Sequence, residues 1–438
     1  MTTITSPADS IVKRLQTVQH LIDSGKLSEA AERLAAVAKS APEEPRVYLI
    51  GMRLADAAGN PKKAEDAVRR AVQLTPQWSV AVTELALLLA RQNRFDEAIE
   101  QANKAMKMDG NNPEVVGRVV DVARRAQRWD LSIPWLLHAE SMAPDNLKIR
   151  RTLAQDLRSL GEHAKAVAIY DVILGAVPAD TEALLGRAQA LLALGDKERA
   201  AADTAALLAL DPASEEYGYW NDLAQGRTPS RQPVQMVRTL YDGMADQYDQ
   251  RVVAGLKYKL PRDVAARIKQ MYPDNKLNVL DLGCGTGLLG ACLGRIDGGM
   301  IGVELSTAMI DQAARHGVYD RFHNVDLLDA LQETPASLYD VIAALDVFIY
   351  VGDIAAAIPN AFRVLREGGR FIFSCETAAD DEADLVLRPS QRYAHKASHV
   401  EAMCRAAGFD EVTLEPMALR YEGLEPVQGF LVIARKPA

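Results

Sequence analysis

The thirteen residues "NVLDLGCGTGLLG", 278–290, decide how this chain is read. A short apolar run, β-branched in part, reaches Asp281-Leu282 and breaks at once into Gly283, Gly285 and Gly287. An apolar run ended by glycine predicts a buried strand, and "LLGACLGRI" beyond it predicts a helix. Strand, glycine turn and helix together place a ligand at a helix N-terminus, where backbone N–H groups point outwards. The next strand, "GGMIGVEL", ends at Glu304, about twenty residues after the loop. A carboxylate there is placed to accept hydrogen bonds from two adjacent ribose hydroxyls.

Two nucleotide-like cofactors compete for such a loop. Gly285-Thr286-Gly287-Leu288-Leu289-Gly290 satisfies G-x-G-x-x-G, the dinucleotide pattern, and Glu304 suits a ribose in either case. Three features point away from a dinucleotide. Asp281 stands just before the first glycine, where an anionic carboxylate would repel a pyrophosphate but attract an amino or sulfonium group. The only Y-x-x-x-K pair that enters the comparison, Tyr272 and Lys276, lies upstream of the loop and before the sheet begins. The C-terminal strands do not form a second nucleotide half.

The arrangement resembles the class I S-adenosylmethionine-dependent methyltransferases over about residues 235–438. "VLDLGCGTG" matches the family's first cofactor loop, and Glu304, followed by Leu305, its ribose-binding acid. "HNVDLLD" matches the end of the third strand, which implies Asp326 and Leu327 beside the adenine. "YDVIAALDVFIYVGD" matches the fourth strand, implying that Asp346 stands by the transferred methyl. "EGGRFIFSCE" fits a glycine turn and fifth strand, with "DEVTLEP" and "VQGFLVIARK" as the closing pair. The resemblance therefore implies an α/β, Rossmann-like domain with a mixed seven-stranded, doubly wound sheet. Gly283, Gly285 and Gly287 would admit the methionine end of the cofactor, since no side chain blocks the backbone. "YDGMADQYD" resembles the segment that closes over the cofactor, so Tyr241 and Tyr248 are cofactor-site candidates on lid helices at about 234–260. Cys284, among the glycines, reads as filler.

The first half of the chain is built differently. Turn-forming residues recur every 34 positions at Pro42, Pro76, Gly110, Pro144, Pro178 and Pro212. Ala30, Ala64, Ala98, Ser132, Ala166 and Ala200 keep the same step, as do Gly25, Gly59, Asn93, Gln127, Gly161 and Gly195. The small residues let two helices approach; the second series of turns ends a first helix, and the proline closes a second. This 34-residue helix pair resembles the tetratricopeptide repeat, weakest in the fourth unit, where Pro134 sits early in its second helix. The expected organisation is an all-α array of six repeats at 8–223, a linker at 224–233 ("AQGRTPSRQP") and a methyltransferase domain at 234–438. The C-terminal "LRPSQRYAHKASHVEAMCRAAGFDEV" resembles a bacterial group of methyltransferases that carry such repeats. Arrays of this kind bind a protein or peptide on a concave face, which is the partner expected here.

Composition narrows the rest. A formal charge of −9 gives no support for a nucleic-acid partner. No apolar run reaches the roughly 18 residues of a membrane helix, so no membrane partner is expected. Cys284, Cys292, Cys375 and Cys404 show no C-x-x-C spacing, which predicts free thiols in the cytoplasm and no metal.

Methyl transfer from a sulfonium is an in-line displacement whose leaving group needs no proton, so alignment supplies most of the catalysis. A base is required only for an acceptor protonated at neutral pH. His395, in "RYAHKASH", and Asp346 are the candidates, with Tyr350 as pocket lining and Arg392 for an acidic acceptor. "ETAADDEAD", 376–384, reads as a solvated acidic loop. The favoured acceptor is an oxygen nucleophile on a small or carrier-attached molecule. The alternatives are a protein side chain recruited by the repeats and a non-catalytic scaffold that retains cofactor binding.

Overall fold

The computed structural model describes residues 7–245, 248, 249, 258–423 and 425–438. The chain divides into two compact units between Leu207 and Leu208.

The first unit is a succession of antiparallel helix pairs in the expected register. They are Pro7–Asp23 with Leu27–Ser40, Pro45–Ala57 with Pro61–Leu74, and Ser79–Arg91 with Phe95–Asp109. Pro113–Arg125 with Trp129–Met142, Leu147–Ser159 with His163–Ala176, and Thr181–Ala193 with Lys197–Leu210 complete the series. All six turn positions between paired helices have a left-handed backbone, including the non-glycines Asn93 (φ 62°) and Gln127 (φ 54°). A Cβ added at Gly25, Gly59, Gly161 or Gly195 would meet nothing within 4 Å, so backbone angle and not space selects glycine there. The six small positions from Ala30 to Ala200 are fully buried.

The fourth pair handles its polar exception with a partner. Ser132 Oγ donates to Asp156 Oδ2 at 2.7 Å, and Arg124 Nε lies 2.9 Å from the other carboxylate oxygen. Pro134 falls beyond the first turn of its helix, deeper than expected, where proline removes a backbone donor.

The second unit is one mixed sheet with helices on both faces. Its strands are β1 (Val279–Leu282), β2 (Met300–Val303), β3 (Arg321–His323), β4 (Tyr339–Ala344), β5 (Leu365–Thr377), β6 (Leu385–Leu387), β7 (Tyr393–His395), β8 (Glu411–Glu422) and β9 (Glu425–Arg435). They run β3-β2-β1-β4-β5, all parallel, with β9 antiparallel to β5 and β8 paired to β9. These are the seven expected strands; the short β6–β7 pair adds two more, joined to the end of β5 at Glu376 and Thr377.

Alternation splits the central strands between two cores. Leu280, Leu282, Ile342, Phe371 and Phe373 point to one, and Val279, Val341, Ala343 and Ile372 to the other. A strand buried on both faces has to read as a continuous apolar run, which is what made β1 legible. The sheet order reverses direction between β1 and β4, so a crevice opens at the carboxyl ends of those strands.

The stretch expected to be a linker is bound to this unit from Pro229 onwards. Tyr393 donates its hydroxyl to the Pro229 carbonyl at 2.9 Å, and the Asp353 amide donates to the Ser230 carbonyl at 2.7 Å. Arg231 bridges Val351 in antiparallel fashion, and the Gln232 amide donates to the Tyr350 carbonyl at 3.0 Å. Backbone groups in a proline-rich stretch have few partners of their own, and here the domain edge supplies them. Among the described residues, no helix is long and apolar enough to cross a membrane, and no three metal-ligating side chains converge.

Candidate functional site

The crevice at the strand ends holds two adjoining cavities of about 670 and 350 Å³. Tyr248, Gly283, Gly285 and Leu345 line both. The loop between β1 and the helix Leu288–Leu293 forms their floor, and its three glycines all have a left-handed backbone, with φ of 64°, 55° and 80°. A Cβ on Gly283 would come within 2.6 Å of Val347, whereas one on Gly285 would meet nothing, so the loop is open at its centre.

Glu304 stands beside that opening. It is 8% exposed and accepts from the Gly285 amide at 3.0 Å and the Ser306 amide at 2.8 Å. These two donors fix the carboxylate while leaving lone pairs for further donors. Burial nonetheless holds its pKa above the usual range. Asp281 lies in the smaller cavity, 3% exposed, and accepts from the Tyr319 hydroxyl at 2.6 Å. Burial, helped by the nearby Glu304 charge and opposed by that hydrogen bond, pushes Asp281 up to about 7. Cys284 is a buried thiol whose pKa burial raises well above normal, as filler requires.

The larger cavity gathers the remaining candidates. Tyr241, Tyr248, Leu305, Asp326, Leu327 and Asp346 all line it. Tyr241 donates to the Tyr350 hydroxyl at 3.0 Å and packs 5.9 Å, centroid to centroid, from Tyr248. Asp326 caps the helix Leu327–Glu333 by accepting from the Leu328 amide at 2.9 Å. The expected lid falls partly at 246, 247 and 250–257, outside the described residues.

Arg231 is the charged lining residue that sequence reading missed. Its guanidinium reaches Asp326 Oδ2 at 2.6 Å, across the end of the cavity where the adenine is expected. Arg238 Nε, nearby in sequence, donates to the Leu305 carbonyl at 3.1 Å. Both arginines precede β1 in the chain, and nothing local in "SRQPVQMVR" signals their target.

His395 does not join the cavity. It sits on β7, 2% exposed, with Nε2 2.7 Å from the Gly352 carbonyl, and lines a separate space with Ser230, Asp353, Asp384 and His399. Burial also lowers its pKa. A side chain so held lines that separate space and is not among the residues that line the main cavity. The acidic loop is also less solvated than expected: Glu376 is 6% exposed and paired with Arg420, and Arg388 grips Glu382. Arg392 is taken by Glu422.

A nucleoside with a cationic amino-acid tail fits these walls. Apolar Leu305 and Leu327 line the larger cavity together with the fixed Glu304 carboxylate, and a second carboxylate, Asp281, lines the smaller. Among the described lining residues Arg231 is the one basic side chain in either cavity, and it faces away from the glycine loop onto Asp326. A pyrophosphate would find two acids and no cation there.

Residues 280–371 match the family described as methyltransferase domain, and residues 15–77, 83–146 and 151–215 match the tetratricopeptide repeat family. A ubiquinone biosynthesis O-methyltransferase of Hahella chejuensis is 27% identical over 182 residues, covering 36% of this chain and 76% of that protein. Its counterpart in Psychrobacter arcticus is 29% identical over 184 residues, covering 36% and 71%. A solved magnesium protoporphyrin IX methyltransferase from Synechocystis aligns at 17% identity, over 46% of this chain and 99% of its own, with a TM-score of 0.37.

Proposed function

We propose that this chain, an S-adenosylmethionine-dependent methyltransferase preceded by tetratricopeptide repeats, methylates a hydroxyl oxygen on a small or carrier-attached molecule. The observation that carries the reading is the similarity to two proteins named O-methyltransferases, each over more than two thirds of its length. A cavity walled by Tyr241, Tyr248 and Tyr350 supports it, because aromatic walls suit a flat or apolar acceptor.

When bound, S-adenosylmethionine supplies a methyl on a positively charged sulfur. In this reading Glu304 accepts from the ribose hydroxyls, Asp281 faces the ammonium of the amino-acid tail, and Leu305 and Leu327 flank the adenine. Gly285 leaves room for the tail to cross the loop, and Tyr241 and Tyr248 keep water from the far wall. Alignment inside such a closed space can contribute roughly 7–11 kcal/mol. The repeats would hold a partner protein on their concave face, and the four free thiols support a cytoplasmic setting.

Two measurements test this. Isothermal titration with S-adenosylhomocysteine, NAD and NADP should give micromolar binding of the first alone, lost in Glu304→Ala. Transfer of labelled methyl to a panel of catechols and phenols should then give O-methylated product. Labelling of protein lysines or arginines in place of hydroxyls would overturn the acceptor class.

A further inference from the structure

At the end of β4 a buried group of charges faces the cavity that the cofactor reading does not use. Asp346 lines that cavity and has a left-handed backbone, φ 57°, uncommon for a residue other than glycine. Its amide donates to Ser374 Oγ on β5 at 2.8 Å, which holds the residue in that conformation. Arg420, on β8 and 3% exposed, donates from Nη1 to Asp346 Oδ1 at 2.8 Å and from Nη2 to Glu376 on β5. Two strands distant in sequence therefore hold one residue, β5 by its amide and β8 by its carboxylate. Strain of this kind persists where the surroundings over-determine it, and such places gather at active sites.

We propose that Asp346 takes the proton from the acceptor hydroxyl, and that Arg420, held from behind by Glu376, is the positioning residue that aims its carboxylate. This rests on the oxygen-methylation reading above. Asp346 accepts the acceptor's proton, the oxygen forms its bond to the methyl carbon, and the carbon–sulfur bond breaks with its electron pair staying on sulfur. The proton leaves Asp346 for solvent after the product departs.

The charge balance of the site supports the assignment. Burial raises the pKa of Asp346, and Arg420 opposes that rise, which keeps the carboxylate ionisable yet basic. Glu376 is likewise raised, chiefly by burial. Arg392 and Glu422 act on Asp346 from the β7 approach and from β8, and the hydroxyls of Tyr241, Tyr248 and Tyr258 are near enough to feel its charge. Among the described residues Arg420 binds Asp346 Oδ1 and none binds Oδ2, which leaves that oxygen for the cavity.

Sinefungin, which carries an amine where the cofactor carries its methyl, tests this without knowledge of the acceptor. Its affinity relative to S-adenosylhomocysteine is measured by titration from pH 5 to 8, and the ratio cancels Asp281 because both ligands share the same tail. The expected ratio grows as Asp346 ionises, and falls about tenfold in Asp346→Asn, as loss of a charge-assisted hydrogen bond should give. Arg420→Met should move the midpoint of that growth to higher pH, Arg420→Lys should restore part of it, and Glu376→Gln should move it lower. Opposite shifts are the signature of tuning; mere structural damage would change both ligands alike. S-adenosylhomocysteine binding with a ratio indifferent to Asp346, or with no sinefungin binding, overturns the proposal and leaves the cofactor reading intact. Failure of S-adenosylhomocysteine itself to bind the wild type would overturn both.

Discussion

At the scale of single residues, Asp281 shows how position turns a common side chain into a sensor of charge. A carboxyl pushed up to about 7 is partly protonated at neutral pH in the empty protein. A ligand that brings an ammonium beside it favours the ionised form, so S-adenosylhomocysteine should bind more tightly as pH rises through about 7. Titration in buffers of different ionisation enthalpy should show the accompanying proton release. The sign for stability is the reverse. Because folding raises this pKa, the empty protein should lose stability as pH rises from the carboxylate range through about 7, on the order of a few kcal/mol. Asp281→Asn should flatten that loss in a thermal melt while weakening the ligand. Asp281 and Glu304 were legible in the sequence because each stands at the end of a contiguous apolar strand pattern. Arg231, Arg420 and Glu376 were not, since each acts on a residue tens of positions away that only the folded sheet brings near. His395 misled for the complementary reason: its spacing after the fifth strand was right, but its ring turns into the β7 packing.

At the scale of elements, the helix pairs were readable almost to the residue, because each turn needs one left-handed backbone angle and the sequence marks it. That argument separates two kinds of turn. Gly59→Ala places a Cβ in open space but at φ 68°, and should cost about 1 kcal/mol through backbone strain alone. Gln127→Gly, at φ 54°, should be nearly neutral, since relief of the left-handed backbone offsets the entropy that glycine adds to the unfolded chain. Urea unfolding of the two variants against the wild type measures the difference. That the sheet is mixed and doubly wound was legible only through the methyltransferase resemblance; period and length do not say which strand lies beside which. The β6–β7 pair went unread because three-residue strands carry too little pattern to stand out.

At the scale of the whole molecule, two units with separate cores should unfold separately. Scanning calorimetry should resolve two transitions, and saturating S-adenosylhomocysteine should raise only the one belonging to the sheet. A single transition shifted as a whole would mean that the cores unfold cooperatively. The stretch from Pro229 to Gln232 bears on how this enzyme can be trimmed. A fragment begun at Val234, where the sequence suggests a clean cut, would discard Arg231 and bare Asp326, whereas one begun at Leu208 would keep both. The shorter fragment should bind S-adenosylhomocysteine at least several-fold differently from the longer, by titration. A fragment that keeps the Arg231–Asp326 pair therefore has to start upstream of its own sheet.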